Sequence, residues 1–218
     1  MYQNKKNYYQ KLGFGSKTGI ELSKETSGKV NFKYETEVFN AGFGQGITTT
    51  PIQNIKALTS ISNNGTLLQP YIIDKIVDQN TGKVIYKGEK KELEKVASTE
   101  TVSKIKDLME SVINGNSRTS TGYYYYMDGY DIIAKTGTAQ VARESGKGYY
   151  NNQVIRGFAG MFPKDNPEVI MYVAAKNPSS IKLMSEVVKE IVKNTSNYLG
   201  IYNGKKEENK NLTKYTLD

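Results

Sequence analysis

The sequence predicts an α/β fold of the α+β type, in which an antiparallel sheet is flanked by helices. Short polar connections at residues 147–152 and 163–167 are expected to turn the chain back, which favours antiparallel neighbours. We predict one domain over residues 1–200 and a polar tail or linker over residues 201–218, where Lys, Glu and Asn are frequent. Three apolar segments, closely spaced in the second half of the chain, are the strands of this sheet: residues 130–142, 154–162 and 169–175.

The first half of the chain contains two predicted helices and a hairpin. Residues 8–12 can form a short helix that Gly13 closes. A longer helix begins at residues 50–53, where threonine, proline and glutamine stand in the order of a capping box. Residues 71–87 are predicted to form a β-hairpin, and the charged segment 88–96 is predicted to be exposed.

Two further helices are predicted to flank the sheet. Apolar residues recur at helical spacing over residues 98–113 and again over residues 180–199, where Gly200 closes the helix. Between the first of these helices and the sheet, residues 116–122 are predicted to form a polar loop. The four consecutive tyrosines at 123–126 are interpreted as an aromatic surface loop.

Composition limits the chemistry that this chain can perform. The 218 residues include no cysteine and no histidine, which excludes disulfides, thiolate sites, imidazole ligands and a histidine general base. Acid–base groups must therefore be Lys, Tyr, Asp or Glu. No acidic pair has a spacing typical of a metal site, so we predict no metal and no cofactor.

Charge and hydropathy also restrict the expected partners. The net charge is +8, but it is carried by scattered lysines with only three arginines, which we interpret as solvated surface. Nucleic acid is therefore not an expected partner. No apolar run approaches 18 residues, so we predict neither a membrane span nor a signal peptide within this chain.

The most informative segment is the strand that ends in Lys135-Thr136-Gly137-Thr138. An apolar run leads directly into these residues. A glycine on such a strand permits close approach of a substrate, and the strand edge can offer N–H groups to a peptide or to a developing oxyanion. The lysine supplies positive charge for a carboxylate or assists proton transfer. Lys-Thr-Gly is the third signature of the penicillin-binding and serine β-lactamase enzymes.

Further segments in the same order strengthen this identification. The chain resembles class B penicillin-binding proteins from about Leu12 to Leu199, and the joint match is specific. The third signature has the family's K-T-G-T-A-Q form. The other matching segments are Gly13-Phe14-Gly15 with Thr18 to Gly28, Gly42 to Gln53, Asn64 to Pro70, Phe158 to Pro163, and Asn166-Pro167.

The resemblance implies the C-terminal part of a D,D-transpeptidase domain with the penicillin-binding protein/serine β-lactamase-like fold, here incomplete. In that family a serine attacks the D-Ala-D-Ala carbonyl of a peptidoglycan stem peptide, and β-lactams trap the same serine. Carried over, Lys135 helps to bind the carboxylate and completes the proton network. Thr136 and Thr138 offer hydroxyls, Gly137 permits close approach, and the Thr138 N–H is one oxyanion donor. Gln140 either contacts the substrate backbone or is an ordinary strand-end residue.

Two signatures of the family, S-x-x-K and S-x-N, lie upstream of this match, and the chain is expected to begin after them. Ser103 and Lys106 are predicted to face away from the apolar stripe of their helix, and the other formal matches have the wrong order or lie at a helix end. We predict that this chain alone is inactive. The formal matches are Ser62-Asn63-Asn64, Ser103 to Lys106 and Ser179 to Lys182.

The resemblance also implies a location and partners. The parent protein is expected at the extracellular face of the bacterial cytoplasmic membrane, held by an anchor upstream of this chain. Expected partners are stem peptides, β-lactams, the upstream part of the same domain and other cell-wall synthesis proteins. Two alternatives stay open: a D,D-carboxypeptidase or β-lactamase of the same superfamily, and a non-catalytic wall-binding module.

Overall fold

The computed structural model describes residues 2–30, 32–115, 120–145, 148–202 and 205–206. Five helices, one short 3-10 helix and nine strands lie in these ranges. In chain order they are α1 (Tyr2–Lys11), α2 (Glu35–Ala41), α3 (Pro51–Ser62), β1 (Thr66–Leu68), β2 (Lys75–Val77), β3 (Val84–Lys87), β4 (Glu92–Lys95), α4 (Thr99–Asn114), the 3-10 helix (Tyr123–Tyr125), β5 (Ile133–Ala142), β6 (Tyr149–Phe162), β7 (Val169–Lys176), α5 (Ile181–Leu199), β8 (Ile201–Tyr202) and β9 (Lys205–Lys206).

The main sheet confirms the predicted fold class. It has the strand order β5-β6-β7, and both pairs are antiparallel. The second turn lies where it was predicted, between Phe162 and Val169. The prediction for the first turn was wrong, because β6 already begins at Tyr149, which pairs with Ala142. Residues 149–154, with the sequence Tyr-Tyr-Asn-Asn-Gln-Val, form the first part of this strand instead of a turn.

Helices cover both faces of this sheet. On one face, Met109 of α4 packs with Ile133 and Met161 in a buried cluster that Leu58 and Ile61 of α3 adjoin. On the other face, α5 contributes Met184, Val188 and Val192 to the largest cluster, which lies against residues of all three strands. The two-sided packing explains why the first two residues of β5, Ile133 and Ala134, are both apolar.

The helix termini follow the sequence signals. The Thr50 hydroxyl accepts a hydrogen bond from the Gln53 backbone N–H at 3.2 Å, and the Gln53 side chain accepts one from the Thr50 N–H at 2.9 Å. This is the predicted capping box. Gly200 ends α5 in the left-handed conformation, with φ of 67°, which a glycine adopts without steric cost.

Three features of the first half and of α4 were not predicted. Segment 88–96 is mostly exposed, as predicted, but it also contains β4, which pairs with β1. Helix α2 had no recognised sequence signal, since only Val38 and Ala41 of its seven residues are buried. Lys106 was predicted to face away from the packed side of α4, yet it is only 8% exposed and donates a hydrogen bond to the Asp165 carbonyl.

The predicted hairpin is present as β2 and β3, which pair antiparallel. Ile201, just beyond the predicted domain end, is buried in the largest cluster. Residues 207–218 of the predicted tail lie outside the described residues, so the tail stays a prediction. No helix within the described ranges is both long and apolar enough to cross a membrane.

Candidate active site

Strand β5 carries the Lys-Thr-Gly-Thr segment at an open edge of the main sheet. It pairs with β6 along one side, and in the described part of the chain no strand pairs with its other side. The backbone N–H and C=O groups on that side are therefore free to bind an extended peptide. An open edge beside a lysine and two threonines is the central geometric feature of this site.

Burial changes abruptly along β5. Ile133 and Ala134 are completely buried, whereas Lys135 and Thr138 are exposed. The buried residues anchor the strand between α4 and the cluster under α5, and the next residues emerge from that packing. The site is thus presented on a rigid element instead of on a loop.

Side chains alternate between the two faces of the sheet. Lys135 and Gly137 share the face of Ile133, which packs toward α3 and α4. Thr136 and Thr138 share the face of Ala134, which packs in the cluster that α5 covers. A ligand lying along the open edge of β5 therefore has a cation on one side and hydroxyls on the other.

Lys135 has no carboxylate partner among the residues that the structure describes. Its Nζ donates a hydrogen bond to the carbonyl of the adjacent Thr136 at 2.5 Å. This local contact leaves two of the three ammonium donors available. No described acidic side chain neutralises this charge, so it is available to a carboxylate ligand.

Thr136 has a partner that the sequence did not indicate. Its hydroxyl lies 2.7 Å from the Thr121 hydroxyl. Thr121 belongs to the segment before the 3-10 helix, which is fastened to the end of α4 by a hydrogen bond from the Gly122 N–H to the Val112 carbonyl. Residues 116–119 of the predicted polar loop lie outside the described residues. The predicted loop thus supplies a polar residue next to the signature strand.

Gly137 leaves open space above the strand. A methyl group placed on Gly137 would meet no atom within 4 Å. Gly157 lies directly opposite on β6, where an added methyl group would meet only the Tyr172 hydroxyl, at 3.7 Å. The paired glycines therefore form a bare patch beside Lys135, and the backbone there is accessible to a ligand.

Gln140 and the tyrosine run also border this region. Gln140 is exposed on β5, opposite Val154. The interpretation of residues 123–126 as a surface loop was wrong for Tyr125, which is buried and stacks on Phe158 with ring centroids 4.5 Å apart. Burial raises the pKa of the Tyr125 hydroxyl, and the Arg156 charge opposes this shift. The other three tyrosines are exposed.

The residues of the formal S-x-x-K and S-x-N matches make no described contact with the open edge of β5. The Ser62 hydroxyl donates to the Thr59 carbonyl within α3, and Ser103 is exposed on α4. Lys106, the lysine of the Ser103 match, is engaged with Asp165. Its burial lowers its pKa, which the nearby Asp165 charge opposes. No described group of three acidic side chains has the arrangement of a metal site.

Comparison with known proteins identifies the family. The Penicillin binding protein transpeptidase domain matches residues 2–197, and the chain belongs to this family. Stage V sporulation protein D of Bacillus subtilis is 37% identical over 192 residues, which are 86% of this chain and 29% of that protein. The peptidoglycan D,D-transpeptidase FtsI homolog of Mesostigma viride is 31% identical over 191 residues, covering 79% of this chain and 31% of that protein.

Solved structures give the same assignment of fold. Penicillin Binding Protein 2X from Streptococcus thermophilus has a TM-score of 0.81 and 29% identity, over 90% of this chain and 30% of that chain. The predicted penicillin-binding protein fold is therefore confirmed. The chain spans about a third of the length of the curated relatives described above.

Proposed function

We propose that this chain carries the Lys-Thr-Gly half of a D,D-transpeptidase site in peptidoglycan synthesis. The observation that supports this most strongly is the open edge of β5, where Lys135 and the Thr136–Thr138 pair flank an accessible glycine. A stem peptide can add to this edge as an extra strand, with backbone hydrogen bonds to β5.

Each residue of the segment has a role in this proposal. Lys135 attracts the terminal carboxylate of the donor peptide and takes part in the proton network. The hydroxyls of Thr136 and Thr138 bind the same carboxylate, and the Thr138 N–H stabilises the oxyanion of the tetrahedral intermediate. Gln140, farther along the strand, contacts the substrate backbone.

The reaction proceeds through an acyl-enzyme whose serine lies upstream of this chain. The serine Oγ attacks the penultimate D-Ala carbonyl, its proton passes to the leaving amine, and the terminal D-Ala departs. The amino group of a second stem peptide then attacks the ester, forms the cross-link and releases the serine. β-Lactams acylate the same serine and block the second step.

The cellular setting belongs to the same proposal. The parent protein acts at the extracellular face of the cytoplasmic membrane, held by an upstream anchor. The upstream part of the domain completes the site and packs against this chain, and other cell-wall synthesis proteins are further partners. The 218-residue chain alone is inactive, because it supplies neither the nucleophile nor the second oxyanion donor.

Penicillin labelling tests the proposal. A fluorescent penicillin is incubated with the 218-residue chain and with the same chain lengthened at its N-terminus through the S-x-x-K segment (the extended chain). We expect one adduct per molecule on the extended chain and none on the short one. A long-lived adduct, and an acyl-peptide that transfers to an amine, indicate a transpeptidase. Rapid hydrolysis of both would instead indicate a carboxypeptidase or β-lactamase.

A further inference from the structure

We infer that a groove between the 3-10 helix (Tyr123–Tyr125) and α5 binds the glycan strand of the acceptor, whose amino group resolves the acyl-enzyme. This inference rests on the proposed function, because it names a further part of the same substrate. The aromatic wall of the groove, the unpaired charged groups opposite and the short path from the groove to Thr136 support it. The groove shares no residue with the Lys-Thr-Gly segment.

Three tyrosines form one wall of the groove. Tyr123, Tyr124 and Tyr126 are each between 45% and 48% exposed. Tyr125 between them is buried against Phe158, and the Tyr126 N–H donates to the Tyr123 carbonyl at 3.1 Å, so the segment is fixed to the body of the protein. The rings of Tyr123 and Tyr124 meet edge to face, with centroids 6.0 Å apart. The wall is therefore a preorganised aromatic surface that faces solvent.

The opposite wall is polar and belongs to α5. Lys182, Glu186 and Lys189 line it, at a spacing that places them on the same side of the helix. No salt bridge within the described ranges involves any of the three. Ser185 also lines the groove, and its short side chain donates to the Lys182 carbonyl at 2.7 Å, which leaves the space between the walls open.

This lining favours a sugar as the ligand. A pyranose ring has an apolar C–H face that stacks on an aromatic ring, and hydroxyl and acetamido groups at its edge that need hydrogen-bond donors and acceptors. The tyrosines supply the stacking surface, the lysines supply donors and Glu186 supplies acceptors. The volume of about 260 Å³ is sufficient for one hexosamine residue.

Other classes of ligand fit this lining less well. In the part of the chain that the structure describes, no aliphatic side chain lines the groove, so an apolar peptide side chain finds no pocket there. A polyanion is disfavoured by the carboxylate of Glu186, which lies between the two lysines along α5. Of the two polymers joined in the proposed substrate, the glycan is therefore the better match.

The groove begins close to the position of the leaving group. The Thr136 hydroxyl lies 2.7 Å from the Thr121 hydroxyl, and Tyr123 follows Thr121 by two residues, at most about 7 Å along the chain. In the proposed reaction the terminal D-Ala is held at Thr136 and departs before the acceptor enters. Because the acceptor amine takes the place of the leaving amine, the acceptor enters from the Thr136 side. Its glycan then lies beyond Thr121, where the groove is.

Binding of peptide-free glycan tests the groove directly. The extended chain is titrated by calorimetry with strands of alternating N-acetylglucosamine and N-acetylmuramic acid from which the peptides have been removed, and with dextran of the same length. We expect saturable binding of the glycan strands and none of dextran. The double variant Tyr124→Ala/Tyr126→Ala should bind the glycan about 10-fold more weakly, because two stacking contacts are lost.

Three further variants control for the aromatic and the polar wall. Tyr198→Ala is the matched control, since Tyr198 is also an exposed tyrosine but does not line the groove, and it should bind glycan like the wild type. Tyr124→Phe keeps the ring and should retain the wild-type affinity. Glu186→Ala, at an exposed helical position that tolerates alanine, should weaken binding about 3- to 10-fold.

A transfer assay tests the acceptor role. The acyl-enzyme of the extended chain, formed on a peptide donor, is offered either a glycan-linked stem peptide or a free D-amino acid as the acceptor. For Tyr124→Ala/Tyr126→Ala, the ratio of the first transfer rate to the second should fall about 10-fold, because only the glycan-linked acceptor uses the groove. Tyr198→Ala should leave this ratio unchanged.

The outcomes separate this inference from the proposed function. No glycan binding by the wild type, equal binding of dextran, or an unchanged glycan affinity in the double variant would each overturn the inference, while penicillin labelling would still support the transpeptidase proposal. If the double variant fails to fold, Glu186→Ala must weaken glycan binding, or the inference is wrong. If penicillin does not label the extended chain, the proposed function fails, and the acceptor role fails with it.

Discussion

The two ends of β5 differ in what they contact. At the beginning, Ile133 and Ala134 are completely buried, each in a different apolar cluster. Three residues after Ala134 the strand reaches open space at Gly137, and its outer edge is unpaired in the described part of the chain. One strand therefore supports the fold at one end and, in the proposed function, binds a ligand at the other. Substitutions at the buried end should change stability, whereas those at the open end should change binding and reaction rates.

The largest effect is expected at the buried end. Ile133→Ala should lower the free energy of unfolding of the extended chain by about 3 kcal/mol, because it leaves a cavity between α4 and the sheet. Chemical denaturation measures this change. The control is Ile155→Ala on β6, where the side chain is 39% exposed and the expected loss is below about 1 kcal/mol. An equal loss of unfolding free energy for Ile133→Ala and Ile155→Ala would contradict the structural role assigned to the buried end of β5.

At the open end, Lys135→Met should lower the rate of acylation by penicillin about 100-fold without lowering the unfolding temperature. The lost group is the cation that faces the ligand carboxylate, and removal of one such electrostatic contact typically has an effect of this size. Stopped-flow or quenched labelling of the extended chain measures the rate. Lys176→Met, at the exposed end of β7, removes the same charge and should leave the rate unchanged.

A smaller effect is expected from the residue that supports Thr136. Thr121→Val removes one neutral hydrogen bond, at 2.7 Å, between the loop and the strand. The acylation rate should fall about 3- to 10-fold, the equivalent of one such bond, and Thr121→Ser should behave like the wild type. A fall equal to that of Lys135→Met would mean that Thr121 contacts the ligand directly.

The smallest effect is expected from the ion pairs that Lys164 forms with α4. Lys164 bridges Asp107 and Glu110 of α4 at 2.8 and 2.6 Å. The hydrogen bonds that Lys164 donates to these carboxylates raise its pKa above the ordinary 10.5. Because the pKa of Lys164 is higher in the folded state, its ion pairs stabilise the fold fully below pH 10.5. This contribution is lost as the pH rises through the folded-state pKa.

Lys164→Met should therefore lower the free energy of unfolding by about 1 kcal/mol at pH 7. The difference from the wild type should stay constant between pH 7 and 9 and shrink above pH 10.5. Lys104→Met, which breaks the exposed pair with Glu100, is the control and should change stability by less than 0.5 kcal/mol. A difference that disappears already at pH 8 would contradict the assigned pKa direction.

Most of the fold near the site could be predicted from local sequence signals. Thr50 and Gln53 form the expected capping box, and the three apolar segments pair as an antiparallel sheet. Helix α2 and strand β4 could not be predicted in this way. Few residues of α2 are buried, and β4 is a charged strand held by its pairing with β1, which is a tertiary contact.

The candidate site was predicted in part. The segment Lys135–Thr138 could be recognised because its chemistry lies in consecutive residues. Thr121 could not, because its contact with Thr136 depends on a loop that returns from the end of α4. The burial of Lys106 likewise results from a contact with a distant turn.

The most direct test of the account is to locate the penicillin adduct on the extended chain by tandem mass spectrometry. The account predicts one adduct, on a serine upstream of residue 1, with the Lys135 strand completing the site from the other side. An adduct on Ser62, Ser103, Ser179 or any other serine of these 218 residues would contradict it. In that case the nucleophile would lie within this chain, and the open edge of β5 would not be half of a divided site.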